Sequence, residues 1–387
     1  MRDLGNKIVT YGFVLLLAGA GVINAVWPEQ GFSETENRYL KRQPEFSLTA
    51  FLDGSYGRDY EEALSDQFPY RNHWVTLNVL SERMMGKTAI NGVYIGRENY
   101  LLEKFEREDL QTGQSSQNIS LAAEALTEWR QILGSDHVRV MMVPSAGRIL
   151  QEKLPLFAAP YDQDEVTEWL KQAAAQPELF VPVGTVLADH RGEDIYYRTD
   201  HHWTSLGAYY GYTAWAASIG MEAMAPEEFK VTEADREFLG TLQSKLNSPA
   251  RPDPIHIYEP KTAVQYEVYY DLADLPEDTL YSFDALKTKD KYRVFLDGNH
   301  ALTRIENLTL KAGRTDAADG QRLLIIKDSF AHSFAPFAVN HFDTTYMIDL
   351  RYYNGNIRDF MKEHQITDLL LLYQIPGFCT ERTVGKL

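Results

Sequence analysis

The segment YRTDHHWTSLGAYY, residues 197–210, sets a carboxylate at Asp200 and an imidazole at His202 with one residue between them. On an extended backbone, positions i and i+2 point the same way. Asp200 can then accept the Nδ1–H of His202 and leave Nε2 free as a base, the orienting geometry of a hydrolase triad. The next helix is expected to begin only at Thr204, its N-cap, so extended geometry is available at 200–202. By the same alternation His201 and Trp203 are expected to face the domain interior, with Trp203 packed beneath the loop.

A nucleophile is best sought at Ser329, which follows the apolar run Arg322 to Lys327 (RLLIIK) and precedes a helix. A serine at such a strand-to-helix turn sits at the carboxyl edge of a parallel sheet, where α/β proteins place their sites. Its backbone N–H can stabilise an oxyanion. Gly298-Asn299 ends another run, and an asparagine amide there can complete the hole. No G-x-S-x-G elbow occurs in the chain, which disfavours the usual α/β-hydrolase arrangement. Plainer roles exist for each residue: a turn for Asp200 and for Gly298-Asn299, a helix cap for His202 and for Ser329. Asp-His-His also supplies metal ligands. No Asp-rich motif accompanies it, and adjacent histidines face opposite ways on an extended chain, so no metal and no cofactor is expected.

The elements that must hold these residues alternate. Val138–Val143, Tyr292–Leu296, Arg322–Lys327, Thr345–Leu350 and Asp368–Ile375 read as strands. His73–Met85, Asp164–Ala175, Thr204–Ile219 and Ser333–His341 read as helices. Strands apolar on both faces, alternating with helices, imply an α/β fold with a mostly parallel sheet covered on both sides. Residues 221–290 are acidic, irregular and proline-containing, and are expected to form an insertion or small lobe.

Composition bounds the partners. The 387 residues are 44% hydrophobic, enough for a full core. With 38 basic and 55 acidic residues the net charge is −17, which repels phosphate backbones and excludes nucleic acid as the main partner. The single cysteine, Cys379, cannot form an intrachain disulfide. Arg2 and Lys7 precede an uncharged run of 20 residues, Ile8 to Trp27, long enough at about 30 Å to cross a bilayer as a helix. Glu29, Glu34 and Glu36 follow it, while Arg38, Lys41 and Arg42 weaken the charge asymmetry. The organisation read from this is a signal anchor or signal peptide at 1–28, a juxtamembrane arm at 29–65 and a catalytic domain at 66–387. That domain is expected outside the cell, anchored by one N-terminal pass, or secreted if the segment is cleaved.

Thr199-Asp200-His201-His202-Trp203-Thr204, followed by Gly207-Ala208-Tyr209-Tyr210, resembles the signature of the DHHW family of bacterial surface proteins. These are similar to the alginate O-acetyltransferases of the AlgJ and AlgX type, with an SGNH-hydrolase-like fold. Further blocks fit the resemblance: Asp66 to Arg71, Val143-Pro144 through Leu154-Pro155, Gly240-Thr241 through Ser244-Lys245, Gly298-Asn299-His300, and Lys327 to Ala331 with Ser333. It implies a three-layer α/β/α domain with permuted motif order. It also implies a triad that falls on Asp200, His202 and Ser329, and a polytopic membrane-bound O-acyltransferase partner supplying acetyl groups. The block Asp349 to Tyr353 follows a strand, which turns Arg351 and Tyr352 toward the cleft as substrate or oxyanion contacts; a surface salt bridge is the plainer role for Arg351. With no separate carbohydrate module recognised, glycan binding is expected from the catalytic domain itself.

Three functions remain open at this level. One is an extracellular O-acetyltransferase acting on a surface polysaccharide through an acyl-serine. The others are an acetylesterase with the same triad and a non-catalytic glycan-binding or scaffold subunit of an export complex.

Overall fold

The computed structural model describes residues 2–33, 38–110, 113–314 and 320–387; Glu34 and Glu36 lie outside them. The chain divides into two compact units, one of residues 1–87 with 244–249 and one of residues 88–243 with 250–387. The first unit begins with the helix Arg2–Val26. Its stretch Gly5–Asn24 has a mean hydropathy of 1.6 and buries none of its surface, so by length and composition it is a candidate membrane span. Helices Leu48–Leu52, Ser55–Asp66 and Arg71–Met84 follow. Asp66 is their clasp: its buried carboxylate pairs with Arg38 and accepts the Lys41 N–H at 2.9 Å. Burial alone would raise its pKa, but these partners hold it below the usual carboxylate range.

The second unit is a mixed α/β domain. The strands of its main sheet and the principal helices around them are, in chain order, α1 (Gln114–Leu133), β1 (Val138–Val143), α2 (Asp164–Ala174), α3 (Ser205–Ser218), β2 (Tyr266–Tyr270), β3 (Leu302–Asn307), β4 (Arg322–Lys327), α4 (Ala331–Ala338), β5 (Thr344–Ile348), α5 (Ile357–Glu363) and β6 (Asp368–Gln374). The six strands form one sheet in the order β1-β6-β4-β5-β3-β2. β1, β6, β4 and β5 pair in parallel, and β3 and β2 close one side by antiparallel pairing. Parallel strands are buried on both faces, and the apolar side chains alternate accordingly. Leu323, Ile325, Leu370 and Leu372 pack with Trp215 of α3 and Phe334 of α4. Leu324, Ile326, Leu369 and Leu371 pack with Trp129 of α1, Leu170 of α2 and Phe360 of α5. Residues 221–290 contribute β2 and an antiparallel ribbon, Phe229–Phe238 with Asp253–Pro260, whose register slips twice.

One expected strand is absent. Lys291–Val294 forms a single 3₁₀ turn, and Leu296, Asp297 and Gly298 follow in the left-handed region with φ of 55°, 51° and 88°. Tyr292, Val294, Phe295 and Leu296 are all buried. A strand with one solvated face would bury alternate side chains; this run buries nearly all of its apolar ones by coiling into the core.

Candidate active site

The carboxyl ends of β4, β5 and β6 lie at one edge of the sheet because the three strands are parallel. Asp328-Ser329 follows β4, Asp349 to Arg351 follows β5, and Gln374 ends β6. Antiparallel β3 brings its own amino end, with Asn299, to the same edge: the Asp349 N–H donates to the Ala301 carbonyl at 3.2 Å.

Onto this edge comes the loop before α3. His202 Nδ1 is 2.6 Å from Asp200 Oδ1, and His202 Nε2 is 2.7 Å from Ser329 Oγ. The three residues chosen from sequence therefore form one hydrogen-bonded line. The local backbone is not the extended one expected: residues 198–202 are a series of bends. Asp200 Oδ1 also accepts the backbone N–H of His202 at 3.0 Å, so the short aspartate side chain itself folds the turn and faces the imidazole. The bends also change the fate of His201, which does not face the interior but lines the same pocket as Ser329, Phe330 and Arg351. Trp203 is fully buried as expected.

Several supports could not be assigned from residue spacing. Asp253 accepts from the Arg198 N–H, the Thr199 N–H and the Thr199 hydroxyl, pinning the start of the loop. Thr241 donates its N–H and its hydroxyl to Asp200 Oδ2, at 2.7 and 3.0 Å. Gly240 must lack a side chain, since a Cβ there would stand 2.2 Å from the Cβ of Asp200. The ring of Tyr292 lies flat on His202, centroids 3.9 Å apart at 9°, and its hydroxyl donates to the Ser329 carbonyl. Gly240-Thr241 was visible only through family resemblance, and Tyr292 was hidden inside the expected strand.

Trp203 joins the two chain segments that carry the site. Its indole N–H donates to the Phe330 carbonyl at 3.0 Å, and its ring lies against Gly211, where a Cβ would approach to 2.7 Å. Trp203→Phe keeps most of the packing but removes that buried hydrogen bond. The expected cost is about 1 kcal/mol of stability, read from the denaturant midpoint, with activity falling less than stability. An unchanged midpoint would refute the tether.

The electrostatics suit a neutral base. Burial lowers the His202 pKa, neighbouring His201 adds to this, and Asp200 opposes it, leaving it at about 4. Burial would raise the Asp200 pKa, but the two imidazoles and the Thr241 N–H hold it far below the carboxylate range. Asp328, beside the serine, is pushed up to about 6 by burial, against the N–H groups of Gln374 and Phe330. The backbone N–H of Ser329 meets no acceptor among the described residues, so it is a ready oxyanion donor.

Of the other expected contacts, Arg351 lines the pocket. Its guanidinium donates Nε to Asp349 Oδ1 at 2.9 Å, and a terminal nitrogen to Asp349 Oδ2 at 2.6 Å and to Asn299 Oδ1 at 3.1 Å. Tyr352 is exposed, with its ring beneath that guanidinium. Asn299 reaches the site only through Arg351, and Gly298 stands apart, buried against Arg293. Behind Arg351 lies a buried lysine that spacing did not single out. Lys327 Nζ is 3.3 Å from Asp349 Oδ2 and 2.7 Å from His332 Nε2. An ammonium only donates, so the His332 proton sits on Nδ1, which has no partner among the described residues. Burial lowers the Lys327 pKa, and Asp349 resists that shift.

Asp200, His201 and His202 hold ligand-capable atoms within 4.8 Å of one another. Both Asp200 oxygens and both His202 ring nitrogens already bond to protein, so an ion there would have to displace those contacts.

Residues 181–348 match the DHHW protein family. That DHHW segment contains Asp200, His202 and Ser329. The chain is 24% identical over 232 residues to the probable alginate O-acetylase AlgJ of Pseudomonas syringae pv. tomato, a match covering 57% of this chain and 56% of that protein. The match thus spans little more than half the length of that relative. Among solved structures, a DHHW family protein from Eubacterium siraeum superposes with a TM-score of 0.62 at 23% identity, covering 77% of this chain and 95% of the other. PatB1 of Bacillus cereus with a sulfonyl adduct superposes with a TM-score of 0.57 at 20% identity, covering 73% and 96%. At these identities the likeness establishes a shared fold.

Proposed function

We propose that this protein is a membrane-anchored O-acetyltransferase that acylates hydroxyl groups of a surface or exported polysaccharide through an ester on Ser329. The observation that carries this reading is the continuous line Asp200–His202–Ser329 opening into a pocket beside Arg351. His202 Nε2 takes the Ser329 proton as Oγ attacks the acetyl donor, and passes it to the leaving group. A sugar hydroxyl then attacks the acyl carbon, gives its proton to His202, and Ser329 leaves reprotonated. Asp200 stays ionised and stabilises the imidazolium. The Ser329 N–H, with Arg351 nearby, stabilises the oxyanion. The likeness to a probable alginate O-acetylase supports the acetyl chemistry and the polysaccharide acceptor. The PatB1 structure carries a sulfonyl adduct, the product expected when an activated nucleophile meets a sulfonyl electrophile.

In this reading the domain is the three-layer, SGNH-hydrolase-like type in permuted order, Asp and His before Ser. A polytopic membrane-bound O-acyltransferase supplies the acetyl groups, and Arg2–Val26 anchors the chain with its remainder outside the cell. External protease should then cut the domain in intact cells; a protected domain would overturn export. The second reading, an acetylesterase, is favoured by the openness of the pocket to water, since His201, Asp328 and Ser329 are all partly exposed. Incubating the protein with an acetyl ester and an oligosaccharide panel separates the two by mass spectrometry. Acetylated sugar supports transfer, free acetate alone supports hydrolysis, and neither product refutes both.

A further inference from the structure

The carboxylate of Asp200 serves two histidines. Oδ1 takes the Nδ1–H of His202 directly. Oδ2 takes the hydroxyl proton of Thr241, and the oxygen of that hydroxyl lies 2.8 Å from Nδ1 of His201. An ionised carboxylate can only accept, so the one hydroxyl proton of Thr241 points at Asp200 and its oxygen is left to accept. His201 must then donate from Nδ1. In the neutral ring this fixes the proton on Nδ1 and leaves the lone pair on Nε2, which has no protein partner among the described residues. His201 lines the pocket that holds Ser329, and its ring is 3.9 Å from that of His202. The pocket therefore presents a fixed acceptor on one wall, while Arg351 supplies donors within the same lining.

We propose that His201 Nε2 is an acceptor-substrate contact: it takes a hydrogen bond from a sugar hydroxyl next to the one that attacks the acyl-Ser329. A vicinal diol can offer one hydroxyl to His202 and its neighbour to His201; water or a mono-alcohol cannot span both. The transfer step needs no further reactant. The attacking oxygen forms the new ester bond, its proton passes through His202 Nε2 to Ser329 Oγ, and the bond from Oγ to the acyl carbon breaks. His201 keeps its proton throughout. Its role is to select polyhydroxylated acceptors over water, since a site built to pair a substrate hydroxyl discriminates against molecules lacking it. This proposal rests on the acyl-Ser329 reading above.

The test uses the full chain in detergent, 4-nitrophenyl acetate as donor, and methyl α-mannopyranoside or cyclohexanol as competing acceptors. Wild type should give a 4-nitrophenolate burst and acetylate the mannoside in preference to cyclohexanol. His201→Ala and His201→Phe should lower the ratio of sugar transfer to hydrolysis about ten-fold or more, and lower transfer further than they lower the burst rate. His201→Gln, whose amide oxygen can accept, should recover part of that ratio. Equal loss of burst and transfer would mean that His201 acts only through His202, and would overturn the proposal. So would an unchanged ratio, or a wild type that does not prefer the diol. A burst that survives in Ser329→Ala would instead overturn the acyl-serine reading itself.

Discussion

Ser329→Ala is expected to lower ester turnover by about 10⁴-fold or more while leaving the fold intact. The expectation rests on geometry: Ser329 Oγ is 2.7 Å from His202 Nε2, and no other hydroxyl among the described residues bonds to that nitrogen. The alanine removes only an oxygen at the mouth of a pocket, so the melting transition should not move. Asp200→Asn should cost about 10⁴-fold as well, by presenting an N–H where Nδ1–H of His202 needs an acceptor. Groups that act as one unit are not additive, so Ser329→Ala combined with His202→Ala should be no worse than Ser329→Ala alone. Substantial activity in Ser329→Ala would refute the assignment. Activity abolished by a chelator and restored by a divalent ion would instead favour the Asp200-His201-His202 cluster as a metal site.

The pH profile tests the same unit from another side. A free histidine titrates near 6.5, but buried His202 is held at about 4. Protonation removes the lone pair that accepts from Ser329, so activity should persist from neutral pH down to about 5 and be lost as pH falls toward 4. Stability is a poorer reporter. Between about 4 and 6.5 the unfolded chain binds more protons at His202, so this group lowers stability as pH falls. Asp328, raised to about 6, binds more protons when folded and acts in the opposite sense over an overlapping range. Asp328→Asn should remove any inflection near pH 6 while leaving the one near 4. A single limb near 6.5 in both proteins would contradict a buried His202.

The hydrogen-bonded line Asp200–His202–Ser329 was legible in the sequence because each member carries a local sign. Asp-x-His lies within one loop, and a serine after RLLIIK stands where a parallel strand hands over to a helix. The sheet was legible for a similar reason: β1, β4, β5 and β6 are runs of apolar, largely β-branched or leucine residues with no solvated face. Direction within the loop was not legible. Alternation assumes an extended chain, and Asp200 bends the backbone by accepting from His202 two positions on, which turns His201 into the pocket. Tyr292–Leu296 misled because buried apolar density looks alike in a strand and in a coiled-in turn; the left-handed residues at 296 and 297 are neither glycine nor asparagine and gave no warning. Of the supports, Thr241 lies 41 residues from Asp200, Asp253 54 from Thr199 and Tyr292 37 from Ser329, separations at which spacing carries no signal.

Lys327 did carry a signal that can now be read: a charge closing an otherwise apolar central strand, next to the nucleophile. It is almost wholly buried, at 1% exposure, and its ammonium lies between Asp349 and His332. Removing one member of a buried pair is costly because the partner keeps its charge without water. Lys327→Met should therefore lower stability by about 3 kcal/mol, somewhat softened because Asp349 still holds Arg351. A urea titration of the full chain in detergent measures it. Replacing both members, Lys327→Met with Asp349→Leu, removes the unpaired charge and should restore much of that stability. It should not restore activity, since the Arg351 guanidinium then loses its bonds to Asp349 and keeps, among the described residues, its contacts with Asn299 and the Tyr352 ring. If the double variant regains turnover along with stability, Arg351 is a surface charge and not a substrate contact. If it regains stability alone, the buried ion pair exists to aim a guanidinium at the acyl group.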